Sequence, residues 1–394
     1  MSEQDVLRMS RREIKRLKII HDVMEGRIKQ VEAAALLNLS DRQVTRIVAV
    51  VESEGDKGVI HKSRGRTSNR KIKESIKQKV LRMYQKKYEG FGAVLFSEKL
   101  LEVDGINISD ETLRGWLIEA SLWQRQRRRR SHRQWRRRRD CFGQMIQMDG
   151  SHHRWLEDRG PELVLMGYID DATNNVFARF YDYEGTLPAM DSFKRYISRY
   201  GLPISVYVDR HTTYKSTKKF CEELDEDKPL SQFERALKEL GVEVIHAYSP
   251  QAKGRIERLF GVLQDRLVKE MRLEGIKTKD EANTFLEKYW PRYNRQFRVC
   301  AANSTDAHVS LNGCNLDRYL CIKTERTLAK DHTISHNGKL YQIQTNTKSK
   351  TVIVEERCDG SLHIMNNSHT LKFLEITDRP SKYSFTFEQH STWL

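Results

Sequence analysis

Ten of the fifteen residues from Arg125 to Arg139, RQRRRRSHRQWRRRR, are arginine. No core accommodates that density of charge, so the stretch divides the chain instead of joining a packed domain. It reads as a linker or as an arm laid along phosphates, and self-repulsion should leave it disordered when unbound. At 394 residues the chain is also too long for one ordinary domain. Lys and Arg outnumber Asp and Glu by 70 to 54, a formal charge of +16. Such an excess favours a polyanion as partner, because each phosphate neutralised releases bound counterions. A membrane-surface protein would share the charge, but neither a basic amphipathic helix nor a lipidation motif is found. No apolar run nears the ~20 residues needed to span a bilayer, so no membrane partner is expected. The opening MSEQDVLRMSRREIKRLK lacks the hydrophobic centre of a secretory signal. The six cysteines are scattered without a CxxC pair, which suits a reducing cytoplasm better than a disulfide framework or a thiolate zinc site.

Before the arginine run the pattern is helical. Ile14, Leu17, Ile20 and Val23 are spaced for one helix face, QVEAAALLN fits a short second helix, and Leu39-Ser40 makes a tight turn. Ser40 can cap a third helix, DRQVTRIVAVVESEG, ended by Gly55. This is the order of a helix-turn-helix over 1–58, in which Arg42, Gln43, Thr45 and Arg46 would face bases or phosphates. A basic linker, 59–71, carries Arg64-Gly65-Arg66, a core that suits a narrow minor groove and equally suits a solvated linker. A second helix-turn-helix-like unit is expected over 72–124, with a purely structural role as its alternative. Its last helix, capped by Ser109, would turn Thr112 and Arg114 toward DNA and Leu113, Trp116 and Leu117 toward the core. Arg128 and Arg137, in the arginine-rich linker 125–139, are further candidate phosphate contacts.

After the run, strands and helices alternate. FGQMIQMDGS reads as a strand ending at Asp149, and ELVLMGYIDD and NVFARFYDY as two more strands. PAMDSFKRYISRYG is an amphipathic helix, and LPISVYVD is a buried strand ending at Asp209. A polar insertion to about Leu230, a helix, a strand and a long helix carrying Glu257 follow. Three strands, then alternating helix and strand, is the order of an α/β ribonuclease H-like domain with a mixed sheet, expected over 140–300. A single acid after a strand is usually a turn residue or cap, and a Glu beside Arg usually makes a surface ion pair. Three acids in this order on matching elements suit phosphodiester chemistry, in which two Mg²⁺ ions about 3.5–4 Å apart stabilise attacking and leaving oxygens. Lys253, Arg255 and Arg258 around Glu257 could hold the scissile strand or neighbouring phosphates. Asp170 and Asp171, at the hairpin turn, suit a structural role.

Three segments, MDGSHHRWLEDRG (148–160), YVDRHTTYK (207–215) and SPQAKGRIERLFGVLQDRLVKEMR (249–272), resemble the integrase-core, or DDE, superfamily of transposases and retroviral integrases. Within it the chain is most similar to the ISNCY-type bacterial insertion-sequence transposases, over nearly its whole length. The resemblance implies Asp149, Asp209 and Glu257 as first, second and third catalytic and metal-binding acids, with two Mg²⁺ ions (Mn²⁺ as a substitute). It implies metal-dependent cleavage and 3′-OH strand transfer. The partners would be double-stranded DNA, as terminal repeats and target, and at least a second copy of the chain, in a nucleoid-associated bacterial setting. The family's pattern also falls on His153 and Trp155. By physics His153 could contact a phosphate, and Trp155 could stack on an unpaired base or pack in a core.

From Trp290 to Asn294 a helix with a basic aromatic surface closes the domain, and Tyr293 and Arg295 could meet DNA or pack. A connector, 301–323, leads to a β-rich region, 324–378, with Asn337-Gly338 and Asp359-Gly360 as hairpin turns. This suggests a small SH3-like β-barrel, followed by a tail over 379–394.

Overall fold

The computed structural model of the protein describes residues 7–64, 71–124, 137–209, 230–246, 254–311, 313–367 and 369–377. The chain forms two compact units, Met1–Arg82 and Met83–Leu394. In the first, helices α1 (Arg11–Met24), α2 (Gln30–Leu37) and α3 (Asp41–Glu54) enclose Ile20, Ala33, Ala34, Val44 and Val51. Ser10 and Ser40 close capping boxes with Glu13 and Gln43 at the starts of α1 and α3. Asn38 ends α2 in the left-handed conformation, φ 52°, which turns the chain into α3. Of the apolar face expected on α1, Leu17, Ile20 and Val23 join this core, whereas Ile14 is 55% exposed.

Helix α4 (Glu74–Lys87) leads to α5 (Ala93–Asp104) and to α6 (Asp110–Glu119), which Ser109 caps. In the second unit α5 is tied to later helices by charge. Glu270, 2% exposed, accepts from Lys99 Nζ at 2.5 Å, Arg266 Nε at 3.1 Å and Arg292. Glu102 pairs with Lys99 and Arg292 in turn.

After a two-residue strand β1 (Cys141–Phe142), the chain builds one mixed sheet. Its strands are β2 (Met145–His153), β3 (Leu163–Asp170), β4 (Val176–Tyr181), β5 (Ser205–Val208) and β6 (Glu243–His246), in the order β4-β3-β2-β5-β6. The first three are antiparallel, and β5 and β6 join parallel to β2. This is the mixed order expected from the sequence. Helices α7 (Thr186–Tyr200) and α8 (Gln232–Glu239) cover one face, over Ile146, Met148, Val206 and Val208. Helices α9 (Gly254–Leu273) and α10 (Lys279–Phe297) cover the other, over Leu165, Ile169, Ala178 and Phe180.

The outer edge of β4 is closed by side chains of α10. Asn294 accepts from Val176 N and donates to Val176 O, both at 2.8 Å. Trp290 Nε1 donates to Ala178 O at 2.9 Å. Asn283 accepts from Phe180 N at 2.8 Å and donates to Phe180 O at 3.1 Å. Backbone groups that would otherwise invite another strand are thereby satisfied.

Strand β7 (Asn303–Asp306) pairs with β1. The C-terminal strands are β8 (Cys321–Thr327), β9 (Thr333–His336), β10 (Lys339–Ile343), β11 (Thr351–Arg357), β12 (Leu362–Asn366), β13 (His369–Leu371) and β14 (Phe373–Ile376). They form two antiparallel sheets, β14-β10-β9 and β13-β12-β11-β8, around Ile334, Tyr341, Ile343, Val354 and Ile364. The expected barrel is not closed: among the described residues no ladder joins the two sheets. No helix among the described residues is long and apolar enough to cross a membrane.

Candidate active site

Side chains alternate along β2, so Met145, Gln147, Asp149 and Ser151 share the face toward α9, while Ile146 and Met148 enter the opposite core. Ser151 Oγ accepts from Gln264 of α9 at 3.2 Å. Asp149, half-buried, pairs across the hairpin with Gly167. That glycine lets α9 lie close, because a Cβ there would stand 2.8 Å from the Phe260 ring. The expected strand end at Asp149 is corrected: β2 runs on to His153, since its pairing with β3 continues to Leu163.

On the other side β2 and β5 pair in parallel, the last matched residues being Gln147 and Tyr207. Asp149 and Asp209 each lie two residues beyond that last matched pair. The Asp209 carbonyl lies 3.4 Å from Nδ1 of His246, whose Nε2 is 2.7 Å from Glu234. Glu257 stands exposed in the first turn of α9, next to Ile256, whose N–H donates to Gln147 at 3.3 Å. Among the described residues no three His, Cys, Asp or Glu side chains are gathered closely enough to enclose a metal ion. In kind, the three carboxylates offer the hard oxygen donors that magnesium prefers.

Over 376 residues the chain is 36% identical to the transposase-family protein y4bF of Sinorhizobium fredii (strain NBRC 101917 / NGR234), an alignment covering 93% of this chain and 82% of that protein. The chain belongs to the transposase family. The transposase for insertion sequence IS1202 of Streptococcus pneumoniae is 27% identical over 424 residues, covering 96% of this chain and 89% of its own length. The helix-turn-helix domain family matches residues 15–67. The catalytic core domain of HTLV-2 integrase, solved with magnesium, overlaps 37% of this chain and 84% of its own at 17% identity and a TM-score of 0.29.

In this transposase-family chain several residues read as DNA contacts have other work. Trp155 is corrected: it is 0% exposed, packs edge-on to Phe180 and donates Nε1–H to Ser151 O at 3.0 Å, so no face is left for a base. Arg255 is corrected too, since Nη1 lies 2.6 Å from the buried Asp171 carboxylate. Asp170 and Asp171 serve structure as expected. Asp170 accepts from Gly143 N and Thr173 N, and burial still raises its carboxyl above the ordinary range. His153 is exposed at the strand end, with its ring edge-on to Trp155, and partial burial lowers its pKa below 6.5. Arg258 is exposed, its Nε donating to Gly254 O at 2.6 Å, and Arg137 is exposed beside Asp140.

In the first unit Arg42 and Arg46 are exposed on α3. Gln43 closes the capping box, and Thr45 Oγ1 lies 2.7 Å from Gln30 of α2, so both also serve the motif itself. Arg64 reaches back to α1, donating to Arg8 O and pairing with Glu13, which departs from a free minor-groove arm. In α6 Arg114 pairs with Asp110 and Glu111, and Thr112 with the Ser109 cap, so both also serve the helix itself. Arg66, Arg128 and Lys253 lie outside the described residues, as do the polar insertion and the tail. Gln147 was not anticipated. The alternation that puts it on the Asp149 face was legible, but its partners on α9 and beside Asp170 were not.

Proposed function

We propose that this chain is a DDE-type transposase of the ISNCY kind, which binds the terminal repeats of an insertion sequence, cleaves DNA and joins the 3′-OH end to target DNA. The observation that supports the reading is the parallel pairing of β2 with β5, whose last matched residues, Gln147 and Tyr207, each stand two places before an acid of the trio, while the first turn of α9 bonds to the same Gln147. Asp149, Asp209 and Glu257 would hold two Mg²⁺ ions, with Mn²⁺ as a substitute. When bound, such a pair supplies charge stabilisation to the attacking and leaving oxygens of an in-line displacement. The chain's own residues orient the DNA. Exposed Arg42 and Arg46 on α3 would read the terminal repeat. Arg258 and Arg137 would neutralise phosphates near the reacting strand, and His153 would add a neutral donor. A homodimer at least would hold both ends of the element, within the bacterial nucleoid.

The test is strand transfer with purified protein, Mg²⁺ and a labelled terminal-repeat duplex, comparing wild type with Asp149→Ala, Asp209→Ala and Glu257→Ala. Joined product from wild type alone, with end binding kept in all four, is the expected result. End binding without metal-dependent cutting or joining would mark a DNA-binding regulator instead. Cutting without joining would mark a nuclease.

A further inference from the structure

A helix begins with N–H groups that lack intrahelical partners, and its direction is set by whatever satisfies them. The first turn of α9 finds one such partner on another element. Ile256 N donates to Oε1 of Gln147, and Nε2 of Gln147 donates to Oδ1 of Asp171 at 3.0 Å. Oδ1 of Asp171 also receives Arg255 at 2.6 Å, from the same first turn, and Oδ2 receives Arg139 N at 2.9 Å. Gln147 and Asp171 are both 0% exposed. A buried amide and a buried ion pair are costly to break on one side, so they hold the geometry they join.

We infer that Gln147, Asp171 and Arg255 form a clamp that fixes the start of α9 to β2 and so sets Glu257 against Asp149. The inference rests on the metal role proposed for Glu257. The clamp joins the residue two places before Asp149 to the residues immediately before Glu257. All three clamp members are positioning residues: Gln147 and Asp171 are shut from solvent, and Arg255 pairs with Asp171. The arrangement also explains an arginine beside the third acid without a DNA phosphate.

The test compares wild type, Gln147→Met, Glu257→Gln and the double variant. Mn²⁺ binding is followed by electron paramagnetic resonance of the free ion, and exchange of the α9 amides by mass spectrometry. Methionine keeps the volume of Gln147 and removes both hydrogen bonds. The expected result is faster exchange confined to the first turn of α9 and Mn²⁺ affinity weakened about 10- to 100-fold, the range for groups that orient a metal ligand. In the Glu257→Gln background Gln147→Met should have no further effect on Mn²⁺. Unchanged exchange, or an equal loss of Mn²⁺ affinity in both backgrounds, would overturn the clamp. If Gln147→Met does not fold, the charge-balanced pair Asp171→Asn with Arg255→Met takes its place in the same comparison. Should wild type bind Mn²⁺ no better than Glu257→Gln, the metal role of Glu257 fails by itself, and exchange alone then decides whether the clamp holds α9.

Discussion

Trp155 shows how far one side chain can depart from its motif. It sits between β4 and α9 in the larger core, and its only polar group is bonded to Ser151 O. Trp155→Ala should cost about 3–5 kcal/mol of stability, as large-to-small core changes do. Trp155→Phe keeps most of the packing and loses one hydrogen bond, about 1 kcal/mol. Urea unfolding measures both, and end-binding affinity of the folded Phe variant should equal wild type. A Phe variant of normal stability that loses DNA binding would restore the stacking role. His153 carries a prediction in pH. Its folded pKa lies below 6.5 because partial burial disfavours the charged ring. Its contribution to stability is therefore complete above pH 6.5 and is lost as pH falls from there through the lowered folded value. Imidazole resonances followed by NMR should give a midpoint under 6.5; a midpoint at or above it would contradict the burial. The apolar strand before Asp209 and the helix that carries Glu257 were legible in the sequence, whereas the run of β2 past Asp149 to His153 was not, because its pairing with β3 continues through polar residues. The fate of Arg255 was not legible either, since an arginine on a helix looks alike whether it faces a phosphate or a buried aspartate far away in the chain.

Elements in this protein are repeatedly finished by amides from a neighbour. Asn283 and Asn294 of α10 complete the edge of β4, and Gln232 of α8 does the same for β8, accepting from Lys323 N at 3.0 Å and donating to Lys323 O at 2.8 Å. Asn283→Ala and Asn294→Ala should each cost about 1–3 kcal/mol, the penalty for leaving buried backbone groups unsatisfied. The double variant should also aggregate at concentrations where wild type stays dispersed, because a bare edge recruits strands. Light scattering during a thermal ramp reads both effects; unchanged scattering in the double variant would mean that another group covers the edge. Many helices and strands were legible from periodicity and caps, as with Ser40 before α3 and Ser109 before α6. Their stitching was not, because a pairing between residues 118 apart leaves no local pattern. The closed barrel failed for a related reason: strand lengths and turns were visible at Asn337-Gly338, but which strands share a ladder was not.

For the molecule as a whole, the sharpest break in composition is not where the compact units part. The arginine run begins at Arg125, yet the units divide at Arg82–Met83, within α4. What binds residues 83–124 to the later part is the buried group around Glu270. Glu270→Leu should cost about 3–5 kcal/mol, the loss typical of breaking a buried ion pair from one side. Lys99→Met should cost less, since Glu270 keeps Arg266 and Arg292. Denaturant titration of the two variants tests the order, and equal losses would mean that Lys99 alone sustains the group.

The edge of β4 has a history in time as well as in space. Phe180 and its partner Asn283 are 103 residues apart. At about 5–20 residues per second, a ribosome spends roughly 5 to 20 s between the two. For that interval every nascent copy carries a sheet with one raw border. Neighbouring ribosomes on the same message hold such borders close together. A pause within the polar insertion lengthens the exposure, and a message broken before α10 makes it permanent. How much finished protein a cell obtains would then depend on the pace of translation between Phe180 and Asn283.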